Sequence, residues 1–442
     1  MYSSVFRNLV FPALEIYSGT TIQKQFAFLQ KTQWWSSEQI EELQNKKLRA
    51  LVRHAYDNVP YYTRIFKQQG ITPDDIKTKN DLKKLPVLTK DDIRKNLPDL
   101  LAKNIPESKR LEQHSSGSTG EPMKYFIDRT AYSADWAQTF RCWDWAGFQI
   151  GDPYVKLSLN PRNSYRKKIQ DLFLNCRYVY AAGITELAIK PEIEKIRQFN
   201  PKIIRDYASH LYTMAKLMEK SNIQYKGAVI ATTGDMLYPH YRELIEKQFQ
   251  CTIFDGYGGE GTPIAFECEE HDGYHLCDED IIVEFLANNE NVASGELGRI
   301  VFTNLDNYVM PFIRYDIGDI GKYSDESCTC GRGLSLMKSI EGRDSDIIRT
   351  PSGDFIVVQF FTILFKYIQG VDQFQVTQER IDYLTVKIVK NLHFTENDLK
   401  HIKNEIQKRV GSGVNIEINI VDEIPLSGRS GKRRFVISKV PL

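Results

Sequence analysis

The chain has 442 residues, of which 58 are Lys or Arg and 57 are Asp or Glu, and 42% are hydrophobic. This length favours two domains, and a composition that can bury a core excludes disorder for most of the chain. A net charge of +1 supplies no overall field that would attract a nucleic acid, so nucleic-acid binding is not expected.

The cysteines and the N-terminal segment predict a cytoplasmic protein. Seven cysteines, an odd number scattered along a long chain, do not suit a secreted disulfide scaffold. The N-terminal stretch carries Arg7 and lacks a small-residue cleavage site, so it does not suit a signal peptide, and no apolar run is long enough for a transmembrane segment. The apolar residues from Val5 to Ile16 are expected to pack against their own domain; a weak contact with a membrane surface is the alternative.

The first hundred residues predict a helical extension. Ser36 and Gln39 form a capping-box pair at the start of a predicted helix over 36–56. Between 60 and 104, prolines divide the chain into short helical and extended pieces. We interpret this region as an extension that lies on a larger domain.

Strands and helices alternate between residues 150 and 310. Apolar runs such as YVKLSL and GAVIATT alternate with amphipathic stretches such as PEIEKIRQF, which predicts a layered α/β domain. After Gly342, IDYLTVKIV predicts a strand, a following helix is capped by Thr395, and VNIEINIV predicts another strand. The sequence therefore predicts a large α/β domain over 1–341 and a small, mobile α+β lid domain over 342–442.

Six polar motifs follow one another along the chain. They are HSSGSTGEPMK (114–124), TTGDML (232–237), DGYGGEG (255–261), RYDIGD (314–319), GRDSD (342–346) and GRSGKRR (428–434). The hydroxyls and glycine-freed N–H groups of the first motif suit a phosphate site, although a flexible Ser/Gly loop has the same composition. It is not a Walker A motif, because the Gly-Lys-Ser/Thr ending is missing.

This order of motifs resembles the adenylate-forming superfamily of acyl-CoA synthetases, luciferases and peptide-synthetase adenylation domains. Within it, the chain is most similar to the phenylacetate-CoA ligase family, especially its CapK-type members associated with capsular polysaccharide biosynthesis. The resemblance implies an AMP-forming ligase that uses ATP and Mg²⁺ to form an acyl-adenylate and transfers the acyl group to coenzyme A. One alternative is transfer of an acid or amino acid to a sugar amine or hydroxyl; another is a nucleotide-binding scaffold without activity.

The resemblance implies nucleotide-binding roles for residues of five motifs. They are the phosphate loop Ser116, Gly117, Ser118, Thr119 and Gly120 with Lys124; Gly234 and Asp235 beside adenine; Tyr257 and Gly258, with the Tyr257 ring stacked on adenine; Asp319 on the ribose hydroxyls; and Arg343 at the hinge. The alternative to phosphate binding is that Lys124 is an ordinary solvated side chain. The alternative to adenine stacking is that Tyr257 is an ordinary core aromatic residue.

The resemblance also implies two catalytic residues. Lys432 matches the mobile lysine that neutralises charge between the carboxylate and the α-phosphate; a basic, solvated tail is the alternative. Glu260 matches the acid that holds Mg²⁺, but Tyr-Gly-Gly-Glu is one residue shorter than the usual Tyr-Gly-x-x-Glu. Either the turn is tighter or Glu260 approaches the metal differently. Ser345 stands where the family often has an acid at the hinge. The hinge sequence therefore does not establish that the lid rotates as it does in the family.

The segment from Pro201 to His210 supplies candidates for binding the acid. Tyr207, Ser209 and His210 are the candidate substrate residues, and the segment is more polar than a fatty-acid tunnel needs. Arg205 and His210 suit a polar or charged acid, although exposure at the surface explains them equally well.

A second set of residues predicts a zinc site. Cys268, His275, Cys328 and Cys330 offer three thiolates and one imidazole, a closed tetrahedral set. Their segments resemble Glu-Cys and Cys-x-Cys-Gly-Arg elements that suggest structural zinc in parts of this family. One alternative is that His271 or Cys277 replaces His275 as a ligand. Another is that the cysteines bind no metal.

Overall fold

A computed structural model of the chain describes residues 2–115, 123–158, 164–180, 184–343, 346–352, 355–425 and 434–440. The helices of its N-terminal extension are α1 (Tyr2–Val5), α2 (Phe11–Ser18), α3 (Ile22–Thr32), α4 (Ser37–Asn58), α5 (Pro60–Gln69) and α6 (Lys90–Asn96). A π-helix over Phe6–Val10 and 3-10 helices over Pro73–Asp75, Lys79–Lys84, Leu97–Leu100 and Glu107–Lys109 lie between or after them.

The predicted capping box is present at the start of α4. Gln39 N donates to Ser36 Oγ at 3.3 Å, and Ser36 N donates to Gln39 Oε1 at 3.0 Å. Each bond satisfies a backbone N–H that has no partner within the helix. The chain therefore enters α4 where the sequence predicts.

The apolar N-terminal stretch packs partly against its own domain. Phe6 and Phe11 are buried in one cluster with Ala137, whereas Leu9 is 68% exposed and Ile16 is 85% exposed. In the described part of the chain, no helix is long and apolar enough to cross a membrane.

The middle of the chain builds a hairpin and the parallel half of a large sheet. These elements are β1 (Leu111–His114), β2 (Lys124–Ile127), α7 (Arg129–Trp145), β3 (Tyr154–Ser158), α8 (Tyr165–Phe173), β4 (Cys176–Tyr180), α9 (Glu186–Phe199), β5 (Ile203–Asp206), α10 (Ala208–Lys220), β6 (Val229–Thr233), α11 (Pro239–Phe249) and β7 (Ile253–Gly259). Strands β4, β3, β5, β6 and β7 are parallel neighbours in that order, so their carboxyl ends meet at one edge. Such an edge is the usual ligand site of an α/β sheet.

The antiparallel half of the sheet follows directly. Its strands are β8 (Thr262–Glu267), β9 (Tyr274–Leu276), β10 (Ile281–Ala287), β11 (Glu290–Asn291), β12 (Leu297–Asn304), β13 (Tyr315–Ser324) and β14 (Leu336–Arg343). Within the described residues the sheet has twelve strands in the order β11-β10-β12-β13-β14-β9-β8-β7-β6-β5-β3-β4.

A smaller C-terminal region has a sheet and a core of its own. Its elements are β15 (Ile348–Arg349), β16 (Phe355–Ile356), α12 (Val358–Lys366), β17 (Val371–Arg380), β18 (Tyr383–Lys390), α13 (Glu396–Val410), β19 (Asn415–Ile420) and β20 (Val436–Ser438). Strands β19, β18, β17 and β20 form its sheet in that order, and α13 contributes Ile402 and Ile406 to its core. Gly342 and Arg343, the last residues of β14, still pair with β13 in the large sheet.

Candidate active site

Glu260 lies in a tight turn between β7 and β8. Glu260 and Gly261 are the two connecting residues and have left-handed backbones, with φ of 51° and 79°. Two left-handed residues match a type I′ hairpin turn. A Cβ on Gly261 would lie 2.8 Å from the hydroxyl of Tyr125, so the position also needs glycine for space. Tyr-Gly-Gly-Glu therefore enters a two-residue turn.

The carboxylate of Glu260 is buried and only half satisfied. Its side chain is 4% exposed, Tyr315 Oη donates to Oε1 at 2.8 Å, and Lys90 Nζ lies 3.7 Å from the same oxygen. Among the described residues, the buried Oε2 has no hydrogen-bond partner. A buried carboxylate oxygen without a donor is costly, and carboxylate oxygens are the ligands that Mg²⁺ prefers. Glu260 therefore fits the predicted magnesium role.

The sequence predicted neither Tyr315 nor Lys90 as a site residue. Tyr315 belongs to the RYDIGD motif, in which the sequence analysis selected Asp319. The motif was therefore the sequence feature that could have identified Tyr315. Lys90 is the first residue of α6 and carries no signal; the pairing of Leu88 with Tyr315 brings it to the site.

Three of the predicted nucleotide residues lie together on β7, β13 and β14. Tyr257 Oη donates to Asp319 Oδ2 at 2.9 Å, and Arg343 Nε lies 3.5 Å from Asp319 Oδ1. Burial raises the pKa of Asp319, while Arg343 and the Tyr257 hydroxyl act in the opposite direction. The Tyr257 ring is buried, and its hydroxyl orients the carboxylate predicted to bind the ribose.

Two further predicted residues follow β6, where they contact α10. Asp235 Oδ1 accepts from Ala208 N at 2.7 Å, and Asp235 also accepts from the Ser209 hydroxyl, so this carboxylate caps α10. Gly234 has φ of 82°, and a Cβ there would lie 2.3 Å from Cε1 of Tyr207. The Tyr207 ring therefore lies directly against the TTGDML motif.

The other predicted site residues are bound locally or lie outside the described ranges. His210 Nδ1 lies 2.9 Å from Asp206 Oδ2, and Lys124 Nζ lies 2.7 Å from Glu112 Oε2. The predicted residues outside the described ranges are Ser116, Gly117, Ser118, Thr119, Gly120, Ser345 and Lys432.

The segment that follows Lys432 contacts Asp346, at the predicted hinge, and Tyr238, which follows β6. Arg434 Nε donates to Asp346 Oδ1 at 3.0 Å, and the Phe435 ring lies 5.4 Å from the ring of Tyr238. Tyr238 follows the TTGDML motif directly. The start of β20 is thus held beside the carboxyl-terminal end of β6.

Asp255, the third residue of β7, is a buried carboxyl group to which the sequence analysis assigned no role. Thr232 Oγ1 donates to its Oδ1 at 2.5 Å, and Tyr274 Oη donates to its Oδ2 at 2.8 Å. Burial and the neighbouring Glu267, which is paired with Arg242, raise the pKa of Asp255 to about 7. The signal was an acid inside the apolar run CTIFDG.

This carboxyl group predicts a pH dependence of stability. Because an aspartate in an unfolded chain titrates near pH ~3.9, the folded protein keeps a proton that the unfolded chain loses between about pH 4 and 7. The free energy of unfolding therefore falls as pH rises through this window, by up to about 4 kcal/mol from Asp255. We expect Asp255→Asn to remove this part of the dependence, measured as thermal midpoints of both proteins from pH 5 to 8. Parallel pH profiles would contradict it.

The four predicted zinc ligands come together at the other end of β8. Cys268 Sγ lies 3.6 Å from Cys328 Sγ, Cys330 Sγ lies 3.2 Å from His275 Nε2, and all four ligand atoms lie within 4.8 Å of one another. A tetrahedral zinc site with Zn–S bonds of about 2.3 Å has edges of about 3.8 Å, so the donor set fits. Burial lowers the pKa of His275 to about 4, which keeps its imidazole neutral and able to bind metal.

The structure separates His275 from the two alternative ligands. His271 Nδ1 lies 3.3 Å from Glu267 Oε2, and Cys277 is buried beside Cys142. Neither belongs to the group of four.

Comparisons with known proteins identify relatives of this chain. Residues 348–439 match the family described as the CapK C-terminal domain. Over 419 residues the chain is 24% identical to protein CapK of Staphylococcus aureus, which covers 90% of this chain and 89% of that protein. Over 436 residues it is 26% identical to the phenylacetate-coenzyme A ligase of Escherichia coli (strain K12), with 92% and 96% covered.

Solved structures share the fold. A 2-hydroxyisobutyryl-CoA ligase in the postadenylation state superposes with a TM-score of 0.72 at 18% identity, covering 92% of this chain and 90% of that chain. The o-succinylbenzoate CoA synthetase of Bacillus subtilis gives a TM-score of 0.54 at 14% identity, covering 73% and 67%. The comparisons confirm the predicted resemblance and the predicted fold class, a large layered α/β domain of the adenylate-forming type with a smaller C-terminal domain.

Proposed function

We propose that this chain, a relative of the phenylacetate-CoA ligases and of CapK with the adenylate-forming fold, activates a carboxylic acid with ATP and transfers the acyl group to coenzyme A. The observation that carries this proposal is the buried Oε2 of Glu260, which has no hydrogen-bond partner among the described residues. Glu260 belongs to the DGYGGEG motif, where the resemblance implies that Mg²⁺ and the nucleotide bind. The relatives named phenylacetate-coenzyme A ligase favour coenzyme A over a sugar amine or hydroxyl as the acceptor.

The residues around Glu260 have distinct proposed roles. Glu260 would hold Mg²⁺, which when bound neutralises charge on the phosphates, and Tyr315 fixes the orientation of the carboxylate. Lys90 adds a positive charge on the same side, where anionic phosphates would lie. Asp319, oriented by Tyr257, would accept hydrogen bonds from the ribose hydroxyls, because an ionised carboxylate offers two acceptor oxygens.

We assign the remaining nucleotide contacts by the same resemblance. The phosphate loop is proposed to be Ser116, Gly117, Ser118, Thr119 and Gly120. Gly234 would present its backbone to adenine, whereas Asp235 acts through α10, since its carboxylate caps that helix.

Lys432 is the proposed mobile catalytic lysine. It precedes Arg434 by two residues, and the contacts of Arg434 with Asp346 and of Phe435 with Tyr238 support this assignment. A flexible ammonium group on a small domain would stabilise charge in the adenylation step and leave for the second step. The C-terminal region from about residue 342 is accordingly proposed to move as a lid.

Zinc is proposed as a structural ion of this protein. Cys268 and His275 belong to the β8–β9 hairpin, whereas Cys328 and Cys330 belong to the loop between β13 and β14. An ion bound by all four would join two segments that are distant in sequence. It would hold the loop without taking part in the reaction.

The proposed function is tested by the products of the reaction. Protein, ATP and Mg²⁺ are incubated with aryl, fatty, amino and sugar acids, with and without coenzyme A, and AMP, pyrophosphate and acyl-CoA are quantified. We expect equal amounts of the three products with at least one acid, and acyl-CoA only when coenzyme A is present. Pyrophosphate release that coenzyme A does not change would favour a sugar acceptor; no release with any acid would favour the scaffold.

Asp319→Asn tests the proposed ribose contact. A neutral amide offers one acceptor oxygen and no charge, so we expect the KM for ATP to rise roughly tenfold to a hundredfold with a smaller change in kcat. The matched control is Asp316→Asn on the same strand, whose carboxylate pairs with Arg299 at 2.9 Å. An unchanged KM in Asp319→Asn, or an equal effect in both variants, would remove Asp319 from the nucleotide site.

A further inference from the structure

The guanidinium of Arg205 lies among aromatic rings on the face of the large sheet that α7 covers. Its Cζ lies 5.5 Å from the ring centroid of Trp143 and 5.9 Å from that of Trp136. Lys156 on β3 and Ala231 on β6 occupy the register positions on either side of it. A cation and a small side chain therefore flank this arginine on its two neighbouring strands.

No acceptor in the described part of the chain satisfies this guanidinium. Its contacts there are the two indole rings, and the adjacent acid, Asp206, is bound to His210 on the opposite face of the strand. Burial lowers the pKa of Arg205, which means that the protein compensates its charge incompletely. A half-buried arginine without a carboxylate partner is costly, because the desolvation of its charge is not repaid.

Two buried arginines show how this protein pairs such a charge. Arg141 Nη1 donates to Glu279 at 2.8 Å, and Arg314 Nε and Nη2 donate to Glu284 at 3.0 and 2.9 Å. Arg205 differs from both, because its guanidinium lies over two indole rings and has no carboxylate partner among the described residues. Stacked in this way, a guanidinium keeps its edge available for bidentate binding of an anion.

Arg205 lies at the same edge of the sheet as the candidate active site. It is the third residue of β5, and Tyr207, two residues later, has its ring against Gly234 of the TTGDML motif. Arg205 and the TTGDML motif therefore lie at the carboxyl-terminal edge of the neighbouring strands β5 and β6. An acid lying along it would have its reacting carboxylate near the motifs and its remote end near Arg205.

We propose that Arg205 binds a second carboxylate on the substrate, so that the acid activated by this enzyme is a dicarboxylic acid. This inference rests on the proposed ligase function. Trp136 is half-buried and offers an apolar surface to the body of such an acid. Arg205 selects the substrate, and the chemistry takes place at the other carboxylate.

Matched pairs of acids test the inference directly. The pairs are phenylacetate with 3- and 4-carboxyphenylacetate, and hexanoate with adipate, in which only the remote carboxylate differs. With the wild-type protein we expect kcat/KM for pyrophosphate release to be at least about tenfold higher for a diacid than for its monoacid. Equal or better use of the monoacids would overturn the inference while leaving the proposed function intact, and this comparison needs no variant.

Variants assign the preference to Arg205. Arg205→Gln is expected to lower kcat/KM for the diacid roughly tenfold to a hundredfold, mainly through KM, and so to abolish the preference. Arg205→Lys keeps the charge but not the planar fork, so an intermediate loss is expected. The control is Arg177→Gln on β4, whose guanidinium pairs with Glu192 at 3.2 Å and whose removal should leave the preference unchanged. A preference that survives in Arg205→Gln would exclude Arg205.

A binding measurement separates this inference from the proposed function. Trp136 and Trp143 report on the site, so diacids are expected to change tryptophan fluorescence at lower concentration than monoacids, and only when Arg205 is present. If no acid releases pyrophosphate, the proposed function fails. The fluorescence titration then decides by itself whether Arg205 binds a second carboxylate. Identical titrations with both acids of each pair would overturn the inference.

Discussion

Glu260→Gln is expected to reduce kcat for acid-dependent pyrophosphate release roughly a hundredfold to a thousandfold. The amide keeps the shape of the side chain and still accepts the hydrogen bond from Tyr315, but it binds Mg²⁺ far more weakly than a carboxylate. Stability should not fall, because the change removes a buried charge whose Oε2 has no partner among the described residues. Initial rates and thermal midpoints measure the two effects.

The matched control for this variant is Glu290→Gln. Glu290 is an exposed glutamate on β11, so its replacement should leave both the rate and the midpoint unchanged. Glu260→Gln protein with a normal rate would show that the buried oxygen of Glu260 holds no essential cation. A low rate with a low midpoint would instead attribute the loss to misfolding.

The double variant Cys328→Ser/Cys330→Ser is expected to lose its zinc and about 4 kcal/mol of stability. Both thiols lie in the loop between β13 and β14, and without them Cys268 and His275 cannot close a tetrahedral shell. The loop also docks on the N-terminal extension, where Arg332 contacts Trp34, so its release should loosen that contact. Metal analysis of purified protein and urea unfolding give the two values.

Cys251→Ser is the matched control for the zinc variant. Cys251 lies outside the group of four and is only half-buried, so its replacement should leave the zinc content at one ion per chain. Wild-type protein that contains no zinc as purified, or whose unfolding midpoint does not change when zinc is removed, would contradict a structural ion. Loss of zinc without loss of stability would contradict the proposal that the ion stabilises the protein by joining the loop to the β8–β9 hairpin.

The regular elements of the fold were predictable because each is specified by neighbouring residues. The capping box of Ser36 and Gln39 and the alternation of apolar runs with amphipathic stretches depend on spacing within one element. The grouping of the four candidate zinc ligands was predictable from residue type, since few side chains bind zinc. The choice of His275 over His271 needed the β8–β9 hairpin, which turns the two rings to different partners.

The contacts that define the site depend on residues that are far apart in sequence. Lys90 reaches Glu260 only because Leu88 pairs with Tyr315, more than two hundred residues later. The sequence equally gives no reason to expect that Asp235 caps α10. Packing across layers decides such contacts, and local patterns do not record it.

The central claim is that the chain forms an acyl-adenylate, and isotope exchange between pyrophosphate and ATP tests it most directly. The reverse of the adenylation step returns labelled pyrophosphate to ATP, so exchange reports this step without the acceptor. We predict exchange that requires Mg²⁺ and the acid, proceeds without coenzyme A and is lost in Glu260→Gln. Formation of acyl-CoA from ATP with ADP and phosphate as products, and without any pyrophosphate exchange, would contradict the account.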